Sequence, residues 1–209
     1  MKRVDLILVK HERKIGEACE YIEPNITEDC IFYADGEPIG FYLTKMPKKM
    51  CKLADLANAE FLSSRVPKQD MLRTNGEPST MKKRNIQQIK QMSTIIGSTA
   101  PKPHLGRNYP NKHSNHAVKS CQTFIKAMVM LAKESEELIK QIIPTQYEKQ
   151  LELFADTLDK WKIGKLFTSS ISNFNISAAF HKDGLNMQGA VNVIICKKIK
   201  FTRRRLTRS

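Results

Sequence analysis

Between Asn175 and Cys196 two strand-type patterns stand back to back, and they set the fold class of this chain. In Asn175-Ile-Ser-Ala-Ala-Phe180, Ile176, Ala178 and Phe180 share one face, while Ser177, Ala179 and His181 share the other. That alternation is the period of a half-buried strand. Gly189-Ala-Val-Asn-Val-Ile-Ile-Cys196 is rich in β-branched residues and apolar almost throughout, which reads as a strand buried on both faces. Gly184 and Gly189 bracket the connecting turn.

Helical patterns precede this pair. From about Val118 to Ile142, Cys121, Phe124, Ile125, Met128, Leu131, Ala132, Leu138 and Ile142 form one apolar stripe, with Glu136 and Lys140 as an i,i+4 pair on the opposite face. Pro144 closes that helix. Thr145-x-x-Glu148 resembles a capping box, and it opens a second helix to about Lys160 with Leu151, Phe154, Leu158 and Trp161 inward. Nearer the N-terminus, residues 4–9 read as a strand and residues 30–43 as a hairpin turning at Asp35-Gly36. Residues 52–64 read as a helix, with Leu53, Leu56, Ala57, Glu60 and Phe61 at helical spacing. Residues 74–116 hold Gly76, Pro78, Gly97, Pro101, Pro103, Gly106 and Pro110, and read as a long irregular loop. The sum is an α+β chain with helices packed on an antiparallel sheet. Strands are expected near 166–171, 175–181 and 189–197, backed by helices at 118–143 and 145–160.

The turn between the two C-terminal strands carries the chemistry. It reads His181-Lys-Asp183-Gly-Leu-Asn186-Met187, an H-x-D-x-x-N pattern. A histidine and a carboxylate two positions apart on extended chain project from one face, so one divalent metal can take a nitrogen from His181 and an oxygen from Asp183. This pair is two-thirds of the 2-His-1-carboxylate triad of non-haem Fe(II) oxygenases. A lone H-x-D also arises by chance, and the strand–turn–strand setting is what raises it above that background.

On these residues the stretch from about Gly164 to Lys198 resembles the core of the TET/JBP group of Fe(II)- and 2-oxoglutarate-dependent nucleic-acid dioxygenases. His181 and Asp183 match the H-x-D iron ligands, and Asn186 matches an asparagine that reads the target base. Met187, Val191, Val193 and Ile194 follow the turn and strand after it. The regions from Val118 to Pro144 and from Lys49 to Arg73 look similar to phage-encoded members. The resemblance implies a double-stranded β-helix fold, of which this chain would hold a part. It also implies Fe(II) and 2-oxoglutarate as cofactors, and hydroxylation of a methyl group on a DNA base, with 5-methylcytosine as the leading target. A basic residue from the N-terminal part, Arg65 or Arg73, would help to hold 2-oxoglutarate; for each, surface charge on a loop is the competing reading. In the family a distal histidine completes the metal triad, and an arginine pairs with the far carboxylate of 2-oxoglutarate. No histidine follows His181, and 26 residues follow Asp183. The chain thus reads as the N-terminal part of such an enzyme. Residues 1–73 would supply N-terminal strands, hairpin and helix, 74–117 a basic loop, 118–198 the helices and first barrel strands, and 199–209 a basic tail. That tail reads either as a nucleic-acid arm or as a non-native ending.

Charge supports the same partner. The net charge is +14, and it is unevenly placed: Pro78 to Lys133 holds ten Lys/Arg and no acidic residue, and Lys197 to Ser209 holds seven and none. Such a surface suits a polyanion, because each neutralised phosphate releases condensed counterions. Lys102, Arg107 and Lys112 are the candidate contacts in the loop. The competing reading is a basic nucleic-acid-binding protein without chemistry. His104, His113, His116 and Cys121 invite comparison with a zinc site, but their spacing fits no common structural-zinc pattern. The five cysteines lack C-x-x-C spacing, and Cys51, Cys121 and Cys196 read as buried thiols of a reducing compartment. No run reaches the roughly 18 apolar residues of a membrane span, and the expected location is cytoplasmic.

The 209-residue polypeptide by itself is expected to be catalytically incompetent. Two protein ligands leave most of an octahedral shell to water, and the far carboxylate of 2-oxoglutarate has no arginine. A histidine from the long loop would have to arrive in fixed geometry to rescue it. Anaerobic Fe(II) titration should show weak binding, and mass spectrometry should find no 5-hydroxymethylcytosine in treated DNA. Tight stoichiometric binding with product formation would contradict this.

Overall fold

A computed structural model describes residues 1–7, 25–67, 69–70, 92–99, 111–112, 116 and 118–174. The architecture is α+β. A three-stranded sheet is formed by β1 (Lys2–Asp5), β2 (Cys30–Ala34) and β3 (Glu37–Tyr42). β1 lies parallel to β2, and β2 pairs antiparallel with β3. Between β2 and β3, Asp35 and Gly36 both take positive φ, 52° and 82°. This is the tight hairpin turn that Asp-Gly favours. The expected strand 4–9 is placed earlier, at Lys2–Asp5, and its last two residues lie outside the described ones.

Helix α1 (Lys48–Leu62) follows. It begins four residues before the expected start. Pro47 at its N-cap is followed by a lysine pair that is indifferent to burial, so the apolar pattern missed the first turn. Its buried face is Met50, Ala54, Ala57 and Phe61, while Leu56 is exposed. The small alanines let α1 lie close against α2 (Gln122–Ile142), which a short 3-10 turn over Lys119–Cys121 introduces. Phe61 and Phe124 meet there with ring centroids 6.2 Å apart.

Pro144 ends α2 and at the same time opens α3 (Pro144–Leu153) as its first helical residue. Thr145 therefore lies inside the helix, and no capping box forms. α3 is also shorter than the expected 145–160. Phe154 donates its N–H to the Gln150 and Leu151 carbonyls, and Leu158 is extended and exposed.

The largest departure lies in the expected loop 74–116. Met92–Thr99 forms a strand, β5, at the centre of a second sheet. It pairs antiparallel with β4 (Gln69–Asp70), with β6 (Asn111–Lys112) and, over six residues, with β7 (Ser169–Phe174). The glycine and proline density around it concealed a β-branched core, Thr94-Ile95-Ile96. β7 is also later than the expected 166–171. The expected strands 175–181 and 189–197 lie outside the described residues.

Two apolar clusters hold the layers together. One joins α1, α2 and β5 through Ala57, Phe61, Val66, Ile96, Phe124 and Leu131. The other joins the C-terminal half of α2 with α3 and the first sheet, through Ile139, Ile143, Tyr147 and Leu166 against Ile31 and Phe41. Phe167 packs on both. The described elements therefore form helices packed on two small sheets, the first mixed and the second antiparallel.

Gly97 shows how close β5 and its neighbours come. Its φ is +89°, and a Cβ there would overlap the Thr168 carbonyl and sit 2.6 Å from Ile163 Cδ1 and 2.8 Å from Ser169 Cα. Left-handed strain and overpacking act together, so Gly97→Ala should cost about 3 kcal/mol or more. Gly40→Ala, whose Cβ would meet only Phe32 Cδ2 at 3.8 Å, should stay within about 1 kcal/mol. Urea titration of both variants checks the contrast; equal stabilities would refute it.

Candidate functional site

Three segments meet at the start of α2: the loop after α1, the strand β5 and the 3-10 turn over Lys119–Cys121. The loop carries Arg65. Its carbonyl accepts hydrogen bonds from Ser120 Oγ at 2.8 Å and from Cys121 Sγ at 3.5 Å. Two residues on, the Pro67 carbonyl accepts from Thr94 Oγ1 at 2.9 Å. Val66 between them is buried. The loop is thereby fastened to α2 and β5 by its backbone, which leaves the Arg65 side chain outside and exposed. Its Nη1 donates to Glu60 Oε1 at 3.1 Å. A guanidinium in this position already has a carboxylate partner, so holding 2-oxoglutarate would mean exchanging one carboxylate for another. Arg73 lies outside the described residues.

β5 presents a row of buried hydroxyls at this junction. Ser93, Thr94 and Ser98 are all nearly inaccessible. Ser93 Oγ donates to Asn173 Oδ1 of β7 at 2.9 Å, and the Ser98 N–H donates to the Thr168 carbonyl at 2.7 Å. Polar side chains on a strand buried on both faces keep their hydrogen bonds, as burial requires. The Ser93 hydroxyl ties β5 to β7, and the Thr94 hydroxyl ties it to the loop after α1.

His116 stands beside the same strand. Its Nδ1 accepts the Gly97 N–H at 3.3 Å, so this nitrogen is engaged with the backbone. Cys121 is fully buried, with its thiol on the Arg65 carbonyl. Of the four residues compared with a zinc site, these two are described, and each has a hydrogen bond with a backbone group. His104 and His113 lie outside. Among the described residues no group of three or more His, Cys, Asp or Glu side chains is arranged to hold a metal. Cys51, expected to be buried, is exposed on the outer face of α1, and its thiol donates to the Met46 carbonyl at 3.4 Å. Cys30 and Cys121 are buried free thiols.

The H-x-D motif, His181 and Asp183, lies outside the described residues, as do Asn186, Lys102 and Arg107. Lys112 contributes its backbone to β6, paired with Ser98. What the fold positions is the approach to the motif. Ser172 Oγ of β7 lies 4.0 Å from Met128 Sδ of α2, while the turn before β7 lies against Glu136, two turns further along the helix. β7 therefore runs antiparallel to α2, and the chain leaves it at Phe174, beside the N-terminal half of that helix.

Glu136 is the residue that the helical pattern misplaced. It was expected on the solvent face, paired with Lys140. It is buried instead, and its Oε1 accepts two backbone N–H groups, from Lys165 at 2.5 Å and Leu166 at 2.8 Å. Lys140 extends over the Tyr147 ring, with Nζ 5.8 Å from the centroid. The turn that receives Glu136 is closed by the Ile163 N–H donating to the Phe167 carbonyl at 2.6 Å. Gly164 within it has φ +71°, and a Cβ there would lie 2.8 Å from Glu136 Cδ. One sign was available in the sequence: Gly164, the only glycine between Trp161 and Phe174, marks a tight turn directly before a strand.

No family model matches the chain, and comparison with curated proteins and with solved structures gives no match.

Replacing Glu136 should show its structural weight. Glu136→Ala leaves two turn amides without an acceptor, a loss of about 2–4 kcal/mol, whereas Lys140→Ala should change stability by less than about 0.5 kcal/mol. Chemical denaturation distinguishes them. Equal effects of the two substitutions would restore the surface-pair reading.

Proposed function

We propose that this chain carries the beginning of an Fe(II)- and 2-oxoglutarate-dependent dioxygenase domain of the TET/JBP type, acting on a methylated base in DNA. The observation that carries the reading is the placement of the H-x-D-x-x-N sequence. It begins seven residues after β7, the strand paired along its whole length with the central strand β5. In the resembling enzymes the same motif sits on an antiparallel sheet backed by helices. The α+β arrangement of β5, β7 and α2 is compatible with that setting.

The donor set fits the metal. A neutral imidazole and a carboxylate are suitable ligands for Fe(II), and the pair leaves positions open for a cosubstrate. His181 and Asp183 would hold the ion, and the bound iron with 2-oxoglutarate would supply the oxidising chemistry. The chain's own residues have other tasks. Asn186 would hydrogen-bond the edge of a base that has left the stack, since a methyl group within a duplex cannot reach a metal centre. Apolar residues of the following strand, Val191 and Val193, would exclude water from the pocket.

The sequence that follows codon 209 is the most direct test. A continuation in either the same or a shifted frame should encode a distal histidine and an arginine. The extended chain should then convert 5-methylcytosine in DNA to 5-hydroxymethylcytosine with release of succinate. His181→Ala and Asp183→Ala should abolish both product and iron binding. Asn186→Ala should lower turnover on methylated DNA by roughly tenfold or more while iron binding is kept, in line with loss of one positioned hydrogen bond. Equal loss of iron binding and turnover in Asn186→Ala would refute the base-reading role. Salt-sensitive DNA binding with no succinate release would favour a nucleic-acid-binding protein without chemistry.

A further inference from the structure

The outer face of α2 carries a feature that the metal motif does not use. Lys119, Lys126 and Lys133 follow one another at intervals of seven residues, and all three are exposed. Seven residues turn an α-helix almost twice, so Lys126 and Lys133 of α2 stand nearly in line, about 10 Å apart along the axis, and Lys119 lies in the 3-10 turn just ahead of them. Thr123 and Met130, both exposed, fill the positions between them. Among the described residues none of the three lysines is in an ion pair. The acids of α2 are disposed of otherwise: Glu134 pairs with Lys49, Glu136 is buried against the turn after α3, and Glu137 first appears on the exposed face one turn beyond Lys133. The first turn of the helix holds no acidic residue either, so its own sequence leaves the positive end of its dipole in place.

An ordinary solvated helix face mixes both signs and pairs them at i,i+4. Here the exposed charges from Lys119 to Lys133 are of one sign and, among the described residues, in no ion pair, over a length of about 20 Å. That spans roughly six base pairs of a duplex, whose charge density along its axis greatly exceeds that of the ridge. The geometry points to the Lys119–Lys126–Lys133 ridge as a surface that binds the phosphate backbone of duplex DNA, independently of base sequence. The inference rests on the reading that DNA is the partner, and it assigns the contact to α2 rather than to Lys102, Arg107 and Lys112 of the loop. The ridge lies on the side of α2 away from the sheet, at the end where β7 delivers the chain toward the H-x-D segment. It would hold the duplex, and a separate part of the chain would read the base.

The test is fluorescence anisotropy of the 209-residue chain with a labelled duplex, methylated and unmethylated, in EDTA over a series of salt concentrations. EDTA removes any contribution of a metal. A triple variant, Lys119→Ala with Lys126→Ala and Lys133→Ala, should bind both duplexes roughly tenfold or more weakly, and the slope of log affinity against log salt should fall by about 0.9 for each lysine. A charge-matched triple at Lys149, Lys160 and Lys165, each changed to Ala, should keep affinity and slope near the parent's. Circular dichroism and thermal unfolding confirm that both variants are folded. If the parent binds and the two triples weaken it equally, the ridge assignment is overturned and DNA stands as the partner. If the parent binds no duplex at any salt, the DNA reading fails and the ridge with it. Ridge-dependent binding that prefers single-stranded RNA to duplex also overturns the proposal.

Discussion

One buried carboxylate organises the described core. Glu136 extends from α2 into the turn 163–167, and its Oε1 takes the N–H groups of Lys165 and Leu166. A charge withdrawn from water carries a large desolvation cost, and charge-assisted bonds from two fixed amides offset it. The consequence reaches further than the turn. Leu166, 1% exposed, is set into the cluster that carries the first sheet, and Phe167 next to it bridges both clusters. The residues that follow are then aligned to pair with β5. A shift of the turn by one residue would invert the faces of β7.

β5 is the second element on which the arrangement turns. It is covered on both faces, yet its sequence is Met-Ser-Thr-Ile-Ile-Gly-Ser-Thr, with more hydroxyl than apolar side chains. The hydroxyls are satisfied locally: Thr94 by the loop after α1, Ser93 by β7. The buried polar groups thereby specify which neighbours β5 accepts, because a different register would leave them unpaired. Gly97 lets the Thr168–Ser169 backbone approach where a side chain would block it. Strand, turn and helix are consequently fixed relative to one another, and β7 ends at Phe174.

This division of labour bears on the proposed chemistry. A frame of well-packed helices on sheets is suited to holding adjacent segments, and among the described residues it brings no three His, Cys, Asp or Glu side chains together to hold a metal. His116 and Cys121 are both occupied with backbone partners. Arg65 is turned outward to Glu60. On the proposed reading, then, the frame supplies placement and a basic outer surface, while the metal chemistry belongs to the residues that follow β7.

The sequence by itself determined what depends on local periodicity. The apolar stripe of α2, the Asp-Gly hairpin and the helix ending at about Leu62 are each set by residues close together along the chain, through helical spacing, positive φ and burial of one face. The H-x-D-x-x-N motif and the acid-free basic stretch were legible for the same reason, and they carry the functional reading. Tertiary structure decided the rest. Glu136 and Lys140 satisfy the i,i+4 rule for a surface pair, and only the turn at Gly164, 28 residues further on, turns Glu136 into a buried acceptor. Met92–Thr99 sits among glycines and prolines, and it becomes a central strand because β7, more than 70 residues away, hydrogen-bonds along it. The Lys119–Lys126–Lys133 spacing was present in the sequence as well. It acquired meaning when packing against α1 and the sheet left that face outward and gave the nearby acids other partners. Periodicity records which residues share a face, and the partner across the fold decides what that face does.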